Sequence, residues 1–125
     1  MKAKHYVSFE AARLLKEKGY NEECEYAYNE INMQIERIGA NANYISDYCS
    51  APTLLEAMDW LEERGIGIEI TYDSIDNEWF SSVTILSKRL SSLADSGKDR
   101  NECMNEAIKL AIRLSLISIL QNQHI

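Results

Sequence analysis

Between Ser8 and Lys18 the apolar positions Phe9, Ala11, Ala12, Leu14 and Leu15 recur at helical spacing, while Glu10, Arg13 and Glu17 gather on another side. Ser8 is placed to cap this helix and Gly19 to end it, with Tyr20 where a Schellman stop sets its hydrophobic residue, close to Leu15. From Cys24 two patterns compete. Cys24, Tyr26 and Tyr28 alternate with polar or small residues, the phase slips at Asn29-Glu30, and Ile31, Met33 and Ile35 alternate again, which predicts a hairpin of two short strands. A helical stripe of Cys24, Ala27, Tyr28, Ile31, Ile35 and Ile38 fits the same stretch, and Glu30 is a poor residue for a tight turn. The hairpin is preferred. Residues 39–43 read as loop and residues 44–50 as an irregular approach to the next element.

Thr53-Leu54-Leu55-Glu56 forms a capping box, and Pro52 prevents an earlier start. This predicts a second helix that buries Leu54, Ala57, Met58 and Leu61, carries Trp60 at its edge and stops at Gly65. Strict alternation from Ile66 to Tyr72 predicts a strand with Ile66, Ile68, Ile70 and Tyr72 inward. A turn over residues 73–77 leads to an antiparallel partner from Trp79 to Leu86. The polar, Ser-containing stretch from Lys88 to Lys98 reads as a mobile loop. Asp99 and Glu102 cap a last helix running to about Leu120. Its first half buries Cys103, Met104, Ala107, Ile108 and Ala111. Further on, Leu110, Ile112, Leu114, Leu116, Ile117, Ile119 and Leu120 spread over more than one side, so this helix is either central or meets another subunit.

The elements so read make a single α+β domain over residues 1–125, in the order α-β-β-α-β-β-α, with an antiparallel sheet packed against helices. Composition agrees. Five Gly and one Pro among 125 residues exclude collagen-like, linker-like and disordered classes. The 13 basic and 20 acidic residues leave a net charge of −7, unevenly spread. Residues 1–20 carry +3, residues 21–80 carry −12 and the remainder +2. The acidic centre repels a nucleic-acid backbone and argues against that partner. The preferred reading of it is a solvated surface that keeps the chain soluble; the alternative is a patch that attracts a basic protein or imitates DNA to occupy one.

Several stretches match more than a generic pattern. The run Ser50-Ala51-Pro52-Thr53-Leu54-Leu55-Glu56-Ala57-Met58-Asp59-Trp60-Leu61, its glycine stop and the following isoleucine strand resemble a family of small uncharacterised proteins of prophages and mobile elements in gut anaerobic bacteria. Similar too are the opening Val7 to Leu15 helix, the Cys24-Glu25-Tyr26 strand, the Trp79 strand and the closing Asn101 to Ile108 helix, so the resemblance covers most of the chain. Asn29-Glu30 departs from the turn residues expected between the first strands. The resemblance implies an accessory role of mobile-element origin and brings with it no cofactor or catalytic residue.

The chemistry-bearing residues are sparse. His5 and His124 lie at opposite ends of the sequence, and no phosphate-binding loop, nucleophile elbow or zinc-protease motif is present. Asp73, Asp76 and Glu78 share one turn but lack the spacing of an EF-hand, so a solvated turn is the better reading. Cys24, Cys49 and Cys103 are odd in number and unpaired in spacing, which suits buried thiols in a reducing, cytoplasmic setting. No secretory signal follows the basic start, and the apolar stretch from Ala107 to Leu120 is shorter than the roughly 20 residues that cross a bilayer. No metal, cofactor or membrane is expected. The candidate binding residues are Leu110, Leu114 and Ile117 on the closing helix and Tyr26, Tyr28 and Trp79 on strands, where aromatics anchor a protein partner or stack bases. The expected function is a non-enzymatic interaction or accessory module that self-associates through the closing helix into a homodimer or other homo-oligomer. The alternatives are a regulator that binds nucleic acid through the basic first helix or mimics it with the acidic centre, and a small enzyme.

Overall fold

A computed structural model describes the backbone of residues 2–122 and the side chains of residues 2–115. Its elements are α1 (Phe9–Lys18), β1 (Cys24–Asn29), β2 (Ile35–Ala40), β3 (Tyr48–Ser50), α2 (Leu54–Glu63), β4 (Ile66–Asp73), β5 (Glu78–Ile85), β6 (Leu90–Gly97) and α3 (Arg100–Asn122). The strands form two antiparallel three-stranded sheets, ordered β2-β1-β3 and β4-β5-β6, so the chain is an α+β single domain with a divided sheet. Alternation in a strand reports which residues share a face and is silent on which strand lies beside it, so the division was invisible in the sequence.

The local stops and starts work as their chemistry requires. Ser8 Oγ accepts the Ala11 N–H, and Gly19, at φ 98°, ends α1 with the Tyr20 N–H donating to Leu15 O at 2.9 Å. In α2 both bonds of the capping box are present. Trp60 is buried instead of marginal: its ring meets Tyr20 at 5.3 Å and lies 3.7 Å beneath the Arg64 guanidinium.

All three hairpins use the same device. The four-residue loops 74–77 and 86–89 each end on a left-handed residue, Asn77 (φ 53°) and Arg89 (φ 52°), and in the first hairpin, residues 30–34, the left-handed residue is Met33 (φ 60°), one short of the end. This explains where the first hairpin departs from its expected register. Positive φ falls on Met33 instead of Glu30, so Ile31 and Met33 stand exposed in the loop and the second strand begins only at Ile35. Asn29 and Asn32 side chains brace it by accepting the Ile31 and Gln34 N–H groups, each at 2.9 Å.

The expected mobile loop at residues 88–98 is mostly strand. Its serines and lack of β-branched residues concealed β6, which forms because β5 offers it a free edge. Between Ser81 and Ser82 the register shifts by one, which gives β6 an extra residue at Ala94. Ala94 packs against the core.

The helix α3 is central over its described side chains. Ala107, Ile108, Ala111 and Ile112 are wholly buried in one cluster with Ile66 and Val83 of the second sheet and Ala11, Ala12, Leu15, Leu54, Ala57 and Leu61 of the other helices, and Cys103, also wholly buried, sets its thiol against Trp79 O. Alanines on both α1 and α3 permit close approach of the two helices. Polar contacts fasten them. Asn105 Oδ1 accepts the Ser8 N–H at 2.9 Å, and its amide nitrogen donates to Ser8 Oγ at 3.0 Å. Glu10 bridges Lys109 at 3.1 Å and Arg113 at 2.6 Å, contacts that hold its carboxyl below the usual range. Burial acts to lower the Lys109 ammonium, but its bonds to Glu106 and Glu10 outweigh this and leave it raised. Tyr72, expected inward, is 46% exposed and stacks on Trp79 at 4.9 Å, at the strand end away from Ile66.

Two outcomes test this account. Asn105→Ala leaves the half-buried Ser8 N–H without its acceptor and should cost about 1–3 kcal/mol in urea unfolding, with strong coupling to Ser8→Ala in a double-mutant cycle. Met33→Gly relieves a left-handed side-chain residue in an exposed loop and should raise stability by about 0.5–1 kcal/mol in the same measurement.

Candidate functional site

The N-terminal segment is pinned to the lead-in of α2. Val7 N–H donates to Pro52 O at 3.1 Å, and Tyr6 bridges Thr53. A 3-10 turn at Ala3–His5 then carries His5 to the mouth of a cleft between the first turns of α2 and α3. The cleft measures about 510 Å³. Leu54, Met58, Ile70 and Met104 make its apolar walls, and Leu55, Thr53, His5, Arg100 and Asn101 its rim. This size lies within the usual range of ligand pockets, and apolar walls with a few polar rim groups are their usual composition. A second concavity of about 400 Å³ shares His5, Arg100 and Asn101 and adds Lys4, Lys98 and Asp99.

The positive charges on these two adjoining concavities are not cancelled by salt bridges. Among the described residues, Lys4, His5, Lys98 and Arg100 form no salt bridge, whereas Arg13 and Lys16 share Glu30, Arg37 meets Glu25 and Arg64 meets Glu63. Asp99 is the carboxylate present, and it caps α3, accepting the Asn101 N–H at 2.9 Å and the Glu102 N–H at 3.2 Å. The Arg100 guanidinium sits 5.7 Å from the Trp79 ring, which borders the cleft through this contact.

The candidate binding residues fall in separate places. Tyr26 packs on Tyr6 at 5.1 Å, and Tyr28 packs on Phe9 at 5.6 Å while its hydroxyl donates to Val7 O at 2.8 Å. Trp79 stands with Tyr72 and Arg100 near the cleft. Leu110 and Leu114 are half-buried and pack against the core, and the Ile117 side chain lies outside the described residues, as does His124. The basic first helix offers fewer free cations than its composition promised, since Lys16 donates to Glu30 at 2.6 Å and to Tyr48 O at 2.8 Å. Cleft residues on α2, β4 and α3 were individually legible as core or cap; the only sequence signal for their meeting was the Lys98-Asp99-Arg100 tract around a helix start.

A second surface is the outer side of the β4-β5-β6 sheet. Ile66, Ser81 and Val83 mark the inner face by their burial, so cross-strand rows Gly67-Thr84-Ser91, Glu69-Ser82-Leu93 and Thr71-Phe80-Ser96 face away from α3. Thr84 and Ser91 hydroxyls pair at 2.8 Å. Glu69 is the one charge among these nine residues, on a chain of net charge −7. Leu93 is 67% exposed there, and β6 is an edge strand.

Asp73 Oδ1 accepts the Ile75 and Asp76 N–H groups, so the acidic turn serves its own backbone. Among the described residues no group of three His, Cys, Asp or Glu could hold a metal ion, and no helix is long and apolar enough to cross a membrane. All three cysteines are free and buried. Burial pushes the Cys49 thiol up to about 11, and burial together with Asp95 does the same to Cys103.

The fold and its surfaces define a small α+β protein with an amphiphilic cleft and an uncovered face on its second sheet. Comparison with protein-family models, with curated proteins and with solved structures finds no match in any of the three.

A thiol whose folded pKa is raised stabilises the fold below its unfolded value and loses that contribution as pH climbs through the folded one. The urea midpoint should therefore fall between pH 9 and about 11, and less so in a Cys49→Ala, Cys103→Ala double variant. Native thiols should also react slowly with a disulfide reagent at pH 8 and fully once unfolded.

Proposed function

We propose that the protein is a non-enzymatic interaction module that self-associates as a homodimer, an accessory protein of the phage and mobile-element kind that its sequence resembles. Three buried free thiols suit a reducing compartment, and the cytoplasm is its proposed location. What supports self-association most is the edge strand β6, eight residues long, with Leu90 and Leu93 exposed at 59% and 67%. An unpaired strand edge offers a row of backbone donors and acceptors that a second β6 satisfies in antiparallel register. The Ser, Thr, Phe80 and Leu93 face beside it, with Glu69 its one charge, brings two acidic chains together with little charge repulsion. The described part of α3 contributes less to such contact, because its stripe through Ile112 is covered within the protomer.

Sedimentation equilibrium checks this. The full chain should approach twice the monomer mass at tens of micromolar, and Leu93→Lys should weaken the dimer at least tenfold with unchanged far-UV circular dichroism. A monomer up to millimolar concentration overturns the proposal.

A further inference from the structure

We infer that the cleft between α2 and α3 binds a small amphiphilic carboxylate, with its apolar body between Met58, Ile70 and Met104 and its anionic end at Arg100 and His5. The site is independent of the sheet edge proposed for self-association. Charge complementarity selects this occupant. On a chain of net charge −7, His5 and Arg100 line the cleft, Lys4 and Lys98 line the adjoining concavity that shares them, and none of the four forms a salt bridge among the described residues. Asp99, the carboxylate that lines the adjoining concavity with them, already accepts two backbone N–H groups of α3. Those N–H groups are thereby occupied, so recognition falls to side chains and not to the helix end.

Arg100 is suited to the task. A guanidinium presents a planar fork of donors that matches a carboxylate, and the Trp79 ring beside it limits its freedom. Lys98 is tied by its own bond to Asn77 O at 3.1 Å, which leaves it a general source of positive potential. The walls explain why an inorganic anion alone is insufficient: Leu54, Met58, Ile70 and Met104 give it no polar partner, whereas an alkyl or aryl body buries itself against them. Thioether side chains at Met58 and Met104 adapt to bodies of different shape.

The test uses the full chain at pH 7, titrated with sodium decanoate and, in parallel, decanol and inorganic phosphate, followed by calorimetry and tryptophan emission. Decanoate should bind saturably and perturb emission, since Trp79 adjoins Arg100. Decanol should bind at least fivefold more weakly and phosphate not at all. Arg100→Gln should weaken decanoate tenfold or more, and Met58→Glu should abolish binding, each with unchanged circular dichroism. Absence of decanoate binding, equal binding of decanol, or indifference to Arg100→Gln overturns the inference. Leu93→Lys should leave decanoate affinity unaltered, so loss of the dimer and loss of the ligand are told apart.

Discussion

Burial of α3 on two sides at once is the constraint on which the molecule rests. A sheet of three strands has one face to hide, and α1 and α2 each have one stripe; α3 meets all of them with Cys103, Met104, Ala107, Ile108, Ala111 and Ile112. The second sheet, α1 and α2 each gain a hydrophobic partner from the last segment of the sequence, with contacts such as Ser8 to Asn105 spanning 97 positions. A helix that mediates between layers needs apolar residues around more of its circumference than a surface helix does. That need accounts for the broad apolar composition of α3 without any second subunit over its described side chains.

The same arrangement creates both surfaces with functional potential. Covering one face of β4-β5-β6 with α3 leaves the opposite face without a layer, and its low charge follows from Ser and Thr at the outward positions. The first turns of α2 and α3 stand apart enough to leave a cleft between Leu54, Met58 and Met104, and the pinned N-terminal segment closes one side with His5. Charge is distributed accordingly. Most cations of α1 and of the later part of α3 hold elements together through Glu10 and Glu30, while Arg100 at the start of α3 lines the cleft and Lys98 the concavity beside it.

Residue order along the chain announced much of the local structure. Ser8, Gly19, Thr53 with Glu56, and Asp99 act on backbone groups a few residues away, so their effect needs no distant partner and could be read directly. The isoleucine alternation of β4 was equally plain, because an inward residue every second position is a property of one strand. Long-range pairing was not legible in this way. The strand β6 has little intrinsic tendency to extend and exists because β5 binds it; Tyr72 obeys the alternation yet stands 46% exposed; and the sheet divides in two although the strands read alike. The cleft belongs with these, since His5, Met58, Ile70 and Arg100 are far apart in sequence and meet only when α3 docks. Short-range hydrogen bonds and periodicity are encoded locally, whereas surfaces made by docking depend on the packing of the whole chain.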